Sequence, residues 1–300
     1  MWTRLETHIN EPILNRGFYV GLFHCIFLNG GIAKVVEKIK AFIFDLDGTV
    51  YLGDDLIEGA QETLKWVRSK DAQVRFVTNN PRYSRDFYAN KLNNLGIHAS
   101  IEEIVTSANV TASYLKNEAA YGTVFPIGEE QLETELKDAG VPLTEEDPDT
   151  VVVSFDTALD YEKLMIAYHA LRKGAHFLAT NPDTVCPTPE GGLIDAGAII
   201  AALEASTDRK IEGVIGKPSS LLAKMILKDL ELEADQCVVV GDRLNTDIKL
   251  AKQAGMKGVW INTHEEELPE DIVYKPDYAI QSIKELPNIC TEDKKVNKSF

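Results

Sequence analysis

Asp45 and Asp47 stand two residues apart in Asp45-Leu46-Asp47-Gly48-Thr49, directly after the run Lys40–Phe44. In extended backbone, side chains two apart lean to the same side. Two ionised carboxylates so placed repel unless a cation or a proton separates them. A third carboxylate, Asp242, follows the apolar run Cys237–Gly241. Together they form an all-oxygen set that suits Mg2+, which keeps several waters and needs few protein ligands. Thr78 and Lys217 add a hydroxyl and an ammonium, each again behind a short apolar run. Gly48 and Thr49 let the chain turn sharply after the carboxylate pair. A single aspartate in this setting also reads as a turn residue or a helix N-cap; it is the set of five that points to a site.

The elements that must position these residues are short apolar strands alternating with helical stretches. Strands are predicted at 40–44, 74–78, 102–107, 214–216, 237–241 and 258–262, with helices at about 60–69, 84–95, 108–115, 219–230 and 247–254. Strand-helix alternation is the signature of a parallel sheet with crossover helices. Ligands bind such a sheet outside the carboxyl ends of its strands, and all five residues stand at or just beyond predicted strand ends. Between the halves lie three further strand-helix units, led by TVFPIG, DTVVVSF and HFLATN. The expected architecture is α/β: a doubly wound, Rossmann-like parallel-sheet core from residues 39–120 and 211–290, with an α/β cap domain inserted at 121–210. Residues 1–38 form an N-terminal extension outside this fold and 291–300 a tail. Linkers near Ala120 and Lys210 would let the insertion rock as a hinged lid.

Composition narrows the class of partner. The 300 residues carry 31 Lys and Arg against 47 Asp and Glu, a formal charge of −16. That excess repels phosphate backbones and argues against a nucleic-acid surface. The four cysteines are scattered without a CxxC pair and read as free thiols in a reducing, cytoplasmic setting. No histidine pair has zinc-ligand spacing. The apolar run Phe18–Leu28 is roughly 11 residues long, against the ~20 that a spanning helix needs. No membrane association is expected.

The motifs resemble those of the haloacid dehalogenase superfamily. Asp45-Leu46-Asp47-Gly48-Thr49 is similar to the DxDGT/V signature of its phosphatases, and Thr78, Lys217 in GKPS and Asp242–Asp247 in GDRLNTD resemble the later motifs in the right order. The middle segment, with ATNPD and GGLIDAGAI, is similar to the large cap of the nitrophenylphosphatase-like subgroup. One departure is Ile194-Asp195-Ala196-Gly197, where many relatives carry Pro-Gly.

The resemblance implies Mg2+-dependent hydrolysis of small phosphate monoesters, sugar phosphates first. In that scheme Asp45 attacks phosphorus and forms an aspartyl-phosphate. Asp47 protonates the leaving alcohol and then deprotonates the attacking water. Asp45, the Asp47 backbone carbonyl and Asp242 hold the metal, while Asp247 either orients Lys217 or a metal-bound water, or merely suits a helix start capped by Thr246. Lys217 and Thr78 address the phosphoryl oxygens, with backbone N–H groups near Leu46 and Asn79. Asn80 and Arg82 face the substrate or form a solvated turn, and the Asp183–Asp195 loop contacts the leaving group. The implied partner is a small phosphorylated metabolite, with a homodimer through the cap as a further expectation. Rival readings are a nucleotide or phosphoglycolate phosphatase, a phosphomutase, and a non-catalytic metabolite-binding protein.

Overall fold

The computed structural model describes residues 38–188, 191–263 and 266–291. The N-terminal extension with its Phe18–Leu28 run, the tail beyond Thr291 and Glu265 of the acidic loop lie outside the described residues. Fourteen strands are described, among them β1 (Ala41–Asp45), β2 (Tyr51–Leu52), β3 (Asp55–Leu56), β4 (Gln73–Thr78) and β5 (Ile104–Thr106). Next come β6 (Val124–Ile127), β7 (Thr150–Val153), β8 (His176–Ala179), β9 (Val185–Thr188), β10 (Gly191–Ile194) and β11 (Gly213–Val214). The last are β12 (Cys237–Gly241), β13 (Lys257–Ile261) and β14 (Tyr278–Ile280).

Six strands form one sheet in the order β14-β13-β12-β1-β4-β5, every pair parallel. β1 and β12 are buried at every position, as parallel strands covered on both faces must be. Their side chains alternate between two apolar layers. Ala41, Ile43, Cys237 and Val239 pack with Ala108, Leu115, Leu222 and Ile226 from the Ser107–Asn117 and Ser220–Leu230 helices. Phe42, Phe44, Phe76 and Val238 pack with Leu64, Val67 and Leu92 from the helices Ala60–Arg68 and Arg85–Asn94 on the opposite face. Each large apolar side chain among them contributes about 1.5–3 kcal/mol when fully buried. Chain order reverses on either side of β1, so the carboxyl end of β1 is the topological switch point where ligands bind. Asp45 closes that strand.

A second parallel sheet has the order β11-β8-β7-β6. One face packs on helices Tyr161–Lys173 and Ala196–Thr207 through Phe125, Val151, Phe177, Leu171 and Ile199. Residues of the other face, Val124, Val152 and Leu178, join the same apolar cluster as Ile43 and Val239 of the first sheet. Residues of the two sheets therefore share one apolar cluster. Two short antiparallel hairpins, β2–β3 and β9–β10, complete the strands.

One strand changes sides. The sequence pattern places the apolar residues before Lys217 in the core sheet, but β11 pairs with β8 of the second sheet. At two residues β11 is too short to declare its partner locally, and nonlocal pairing decides the matter. No helix among the described residues is long and apolar enough to cross a membrane.

Candidate active site

The carboxyl ends of β1, β4 and β12 converge with the segment after β11. Asp45 and Lys217 are 7% and 3% exposed, and Asp247 is fully buried. Lys217 Nζ donates a hydrogen bond to Asp45 Oδ1 and another, at 3.2 Å, to the Val77 carbonyl. It also lies 2.8 Å from Asp247 Oδ1. Asp247 sits in a single π-type turn, Leu244–Ile248, directly after β12, and its Oδ2 accepts from the Arg243 N–H at 3.1 Å. Such turns are frequent at functional positions. Thr246 Oγ1 is buried without a hydrogen-bond partner among the described residues, so this threonine does not act as the expected cap.

Two glycines make room for the carboxylates. Gly48 has φ of 90°, and a Cβ there would stand 2.5 Å from Asp242 Oδ2. A Cβ on Gly241 would stand 2.3 Å from Asp247 Cγ. Any larger residue at either position would push a carboxylate out of place. Asp242 is held from behind: its carbonyl accepts from Trp260 Nε1 at 2.9 Å, and Thr49 Oγ1 approaches its Oδ1 at 3.4 Å.

Carboxylate oxygens of Asp45, Asp242 and Asp247 lie within 4.8 Å of one another. Asp47 does not add its side chain to this group. Its backbone forms an isolated β-bridge with that of Tyr51, and the buried Tyr51 hydroxyl acts on its carboxylate instead. Burial raises the Asp45 carboxyl to about 7 and Asp247 to about 6, despite the opposing pull of Lys217, and raises Asp242 and Asp47 in the same direction. Burial works against the Lys217 ammonium, but Asp247 and Asp45 more than offset it and hold it above the usual lysine range. Three carboxylates and one ammonium leave two uncompensated negative charges, which is what a divalent cation neutralises. An all-oxygen donor set of this kind fits a hard divalent metal ion.

The flanking residues expected from the sequence fall into two groups. Thr78 is buried at the end of β4, and its Oγ1 accepts from the Asn80 N–H at 3.0 Å. Asn80 Oδ1 accepts from the Arg82 N–H at 3.1 Å, so this side chain shapes the turn. Asn79 clamps Lys217 from both sides, with its Oδ1 accepting from the Lys217 N–H at 2.8 Å and its Nδ2 donating to the Lys217 carbonyl at 2.9 Å. The same Nδ2 donates to Asp183 Oδ2 at 2.9 Å, which ties the segment after β8 to the first sheet. Arg82 pairs with residues that follow strands of the second sheet. Its Nε donates to Glu129 Oε2 at 3.1 Å, and its guanidinium lies 5.2 Å from the Phe155 ring.

Arg243, Glu129 and Phe155 do not stand out in the sequence. Arg243 Nη1 donates to Asp183 Oδ1 at 3.1 Å. A signal for Glu129 and Phe155 is nevertheless present: they follow β6 and β7, so the strand-end rule applied to the second sheet finds them.

Comparison with known proteins shows the family. Residues 42–142 match the haloacid dehalogenase-like hydrolase family model, and residues 214–286 match a second model of HAD-hydrolase-like sequences. Over 252 residues the chain is 37% identical to sugar-phosphatase AraL of Bacillus subtilis, covering 83% of this chain and 93% of that protein. It is 35% identical over 254 residues to an acid sugar phosphatase of Staphylococcus aureus, covering 83% of this chain and 97% of that one. The crystal structure of a 4-nitrophenylphosphatase from Thermotoga maritima superposes with a TM-score of 0.79 at 39% identity, over 85% of this chain and 98% of that one. On these matches the chain belongs to the haloacid dehalogenase-like hydrolases, in their nitrophenylphosphatase-like phosphatase subgroup.

Proposed function

We propose that this phosphatase hydrolyses small phosphate monoesters, sugar phosphates foremost, with Mg2+ as its metal and through an aspartyl-phosphate on Asp45. The observation that carries the reading is Asp45 itself: a buried carboxylate at the switch point, hydrogen-bonded by Lys217 and grouped with Asp242 and Asp247. The sugar-phosphatase names of relatives at 35% and 37% identity support the substrate class.

Asp45, Asp242, Asp247 and the Asp47 carbonyl would hold the cation, which when bound offsets the repulsion between an anionic nucleophile and an anionic ester. Lys217 fixes the Asp45 carboxylate and presents its ammonium to the phosphoryl oxygens, with the Thr78 hydroxyl and the Leu46 and Asn79 N–H groups as further donors. Asp47, raised by burial, carries a proton to the leaving oxygen and later removes one from the attacking water. Asp247 positions Lys217 from behind. In this reading residues 39–120 and the chain after β11 to 290 form the catalytic core, and 121–210 with β11 its cap, with the segment around Asp183 facing the leaving group. The enzyme works in the cytoplasm on small metabolites, and its cap is the surface for a homodimer.

The test is phosphate release from p-nitrophenyl phosphate and a panel of sugar phosphates, with Mg2+ and with EDTA, combined with hydroxylamine trapping of an acyl-phosphate in rapidly quenched enzyme. Turnover that survives EDTA, or the absence of any trapped adduct during turnover, would refute the corresponding part.

A further inference from the structure

We propose that Asp183 and Glu129 are specificity-determining residues that set this site against esters whose leaving alcohol carries a second anion. The inference rests on the phosphatase reading above and adds the charge class of the leaving group.

Arg82 and Arg243 follow the carboxyl ends of β4 and β12, and Lys91 lies on the Arg85–Asn94 helix. Lys91 and Arg243 both act electrostatically on Asp47, the proposed proton donor. On a chain of net charge −16, such a group of cations would ordinarily be the recognition device for a second carboxylate or phosphate. Here both arginines are already matched, whereas Lys91 has only a fully exposed carboxylate nearby. Arg243 Nη1 is 3.1 Å from Asp183 Oδ1 and Arg82 Nε is 3.1 Å from Glu129 Oε2, while Lys91 Nζ lies 3.6 Å from Asp54 on the β2–β3 hairpin.

The two carboxylates that reach across from the second sheet are fixed at both oxygens. Asp183 Oδ2 accepts from Asn79 Nδ2 at 2.9 Å and Asn181 Nδ2 at 3.3 Å, and the Asp183 carbonyl accepts from the Gly197 N–H at 2.7 Å. Glu129 Oε1 accepts from Thr157 Oγ1 at 2.7 Å. Neither side chain is more than 20% exposed. A carboxylate held this way cannot swing aside when another anion arrives. The newcomer would have to share its arginine and would be repelled by the resident charge. A neutral polyol meets a different surface, since its hydroxyls both donate to carboxylates and accept from guanidinium N–H groups. The matched pairs thus work by exclusion as well as attraction. They also place Asp183 away from phosphate recognition, because one carboxylate facing a phosphoryl group would only add repulsion.

The experiment compares isosteric esters: 2-hydroxyethyl phosphate with phosphoglycolate, and glycerol 3-phosphate with 3-phosphoglycerate. Within each pair only a terminal hydroxymethyl or carboxylate differs. Wild-type enzyme with Mg2+ should favour the neutral member in kcat/KM by roughly tenfold or more. Asp183→Asn, which frees Arg243 without changing shape, should narrow that ratio by about tenfold, through KM more than kcat. Glu129→Gln provides a second, independent reading should the Asp183 variant fold poorly. Equal kcat/KM within the wild-type pairs, or ratios unmoved in both folded variants, would overturn the inference. Failure of wild-type enzyme to release phosphate from p-nitrophenyl phosphate would instead overturn the phosphatase reading on which it rests.

Discussion

At the carboxyl edge of the six-stranded sheet, charged groups are buried together and do not balance: three carboxylates crowd one lysine. At the facing edge of the four-stranded sheet, Glu129 and Asp183 each meet one arginine across the gap. The first arrangement is costly without a cation or protons, since removing charges from water costs several kcal/mol per ion. A divalent cation held there would offset that cost. The second arrangement is neutral as it stands and offers hydrogen bonds in fixed directions. In the proposed reading one edge serves the chemistry and the other discrimination, and the same parallel-sheet geometry supplies both.

The sharpest way to break this contrast is to remove the proposed nucleophile. Asp45→Asn should lower phosphate release on the order of 10³-fold or more, with circular dichroism unchanged. Residual activity above about one per cent would assign the nucleophile elsewhere. Next in size is Asp47→Asn, expected to cost about 10²–10⁴-fold on alkyl phosphates and far less on p-nitrophenyl phosphate, whose leaving group needs little protonation. Equal losses on both esters would remove Asp47 from the proton-donor role.

Gly48→Ala tests whether the chemical edge depends on backbone shape. The φ of 90° and the 2.5 Å that would separate an alanine Cβ from Asp242 Oδ2 point to strain on two counts. The expected result is a loss of roughly 1–3 kcal/mol in stability and a higher Mg2+ requirement. Thermal melts and a Mg2+ titration of activity measure both, and an unchanged Mg2+ requirement would separate Gly48 from the metal site.

The smallest expected effect concerns pH. In metal-free protein Asp45 and Asp247 are raised to about 7 and about 6 from 3.8, so the folded form holds protons that the unfolded chain releases. Their contribution to stability is complete below the unfolded value and is lost as pH rises through those folded values. Added Mg2+ replaces those protons, so it should raise Tm more near pH 8 than near pH 5, by a few degrees per kcal/mol. An equal shift at both pH values would argue that these carboxylates do not share a metal site.

Much of this can be followed along the chain. β1 and β12 announce themselves as uninterrupted apolar runs, because a parallel strand buried on both faces leaves no polar position. The five polar residues behind the runs are legible for the same reason: strand ends in such a sheet are where polar groups meet a ligand. Asp247 stays ambiguous, since a helix start and a lysine partner ask for the same residue type.

What folding alone settled is a matter of pairing between distant segments. β11 was free, by its two residues, to join either sheet, and only the register with Gly213 opposite Leu178 placed it. Asn79 reads as a turn residue until it is seen to clamp Lys217, 138 positions away. Arg243 and Asp183 are ordinary surface types until their strands end face to face and bring them to 3.1 Å. Local chemistry names the residues that need a partner; which partner each receives depends on how two sheets pack, and no stretch of sequence carries both halves of that contact.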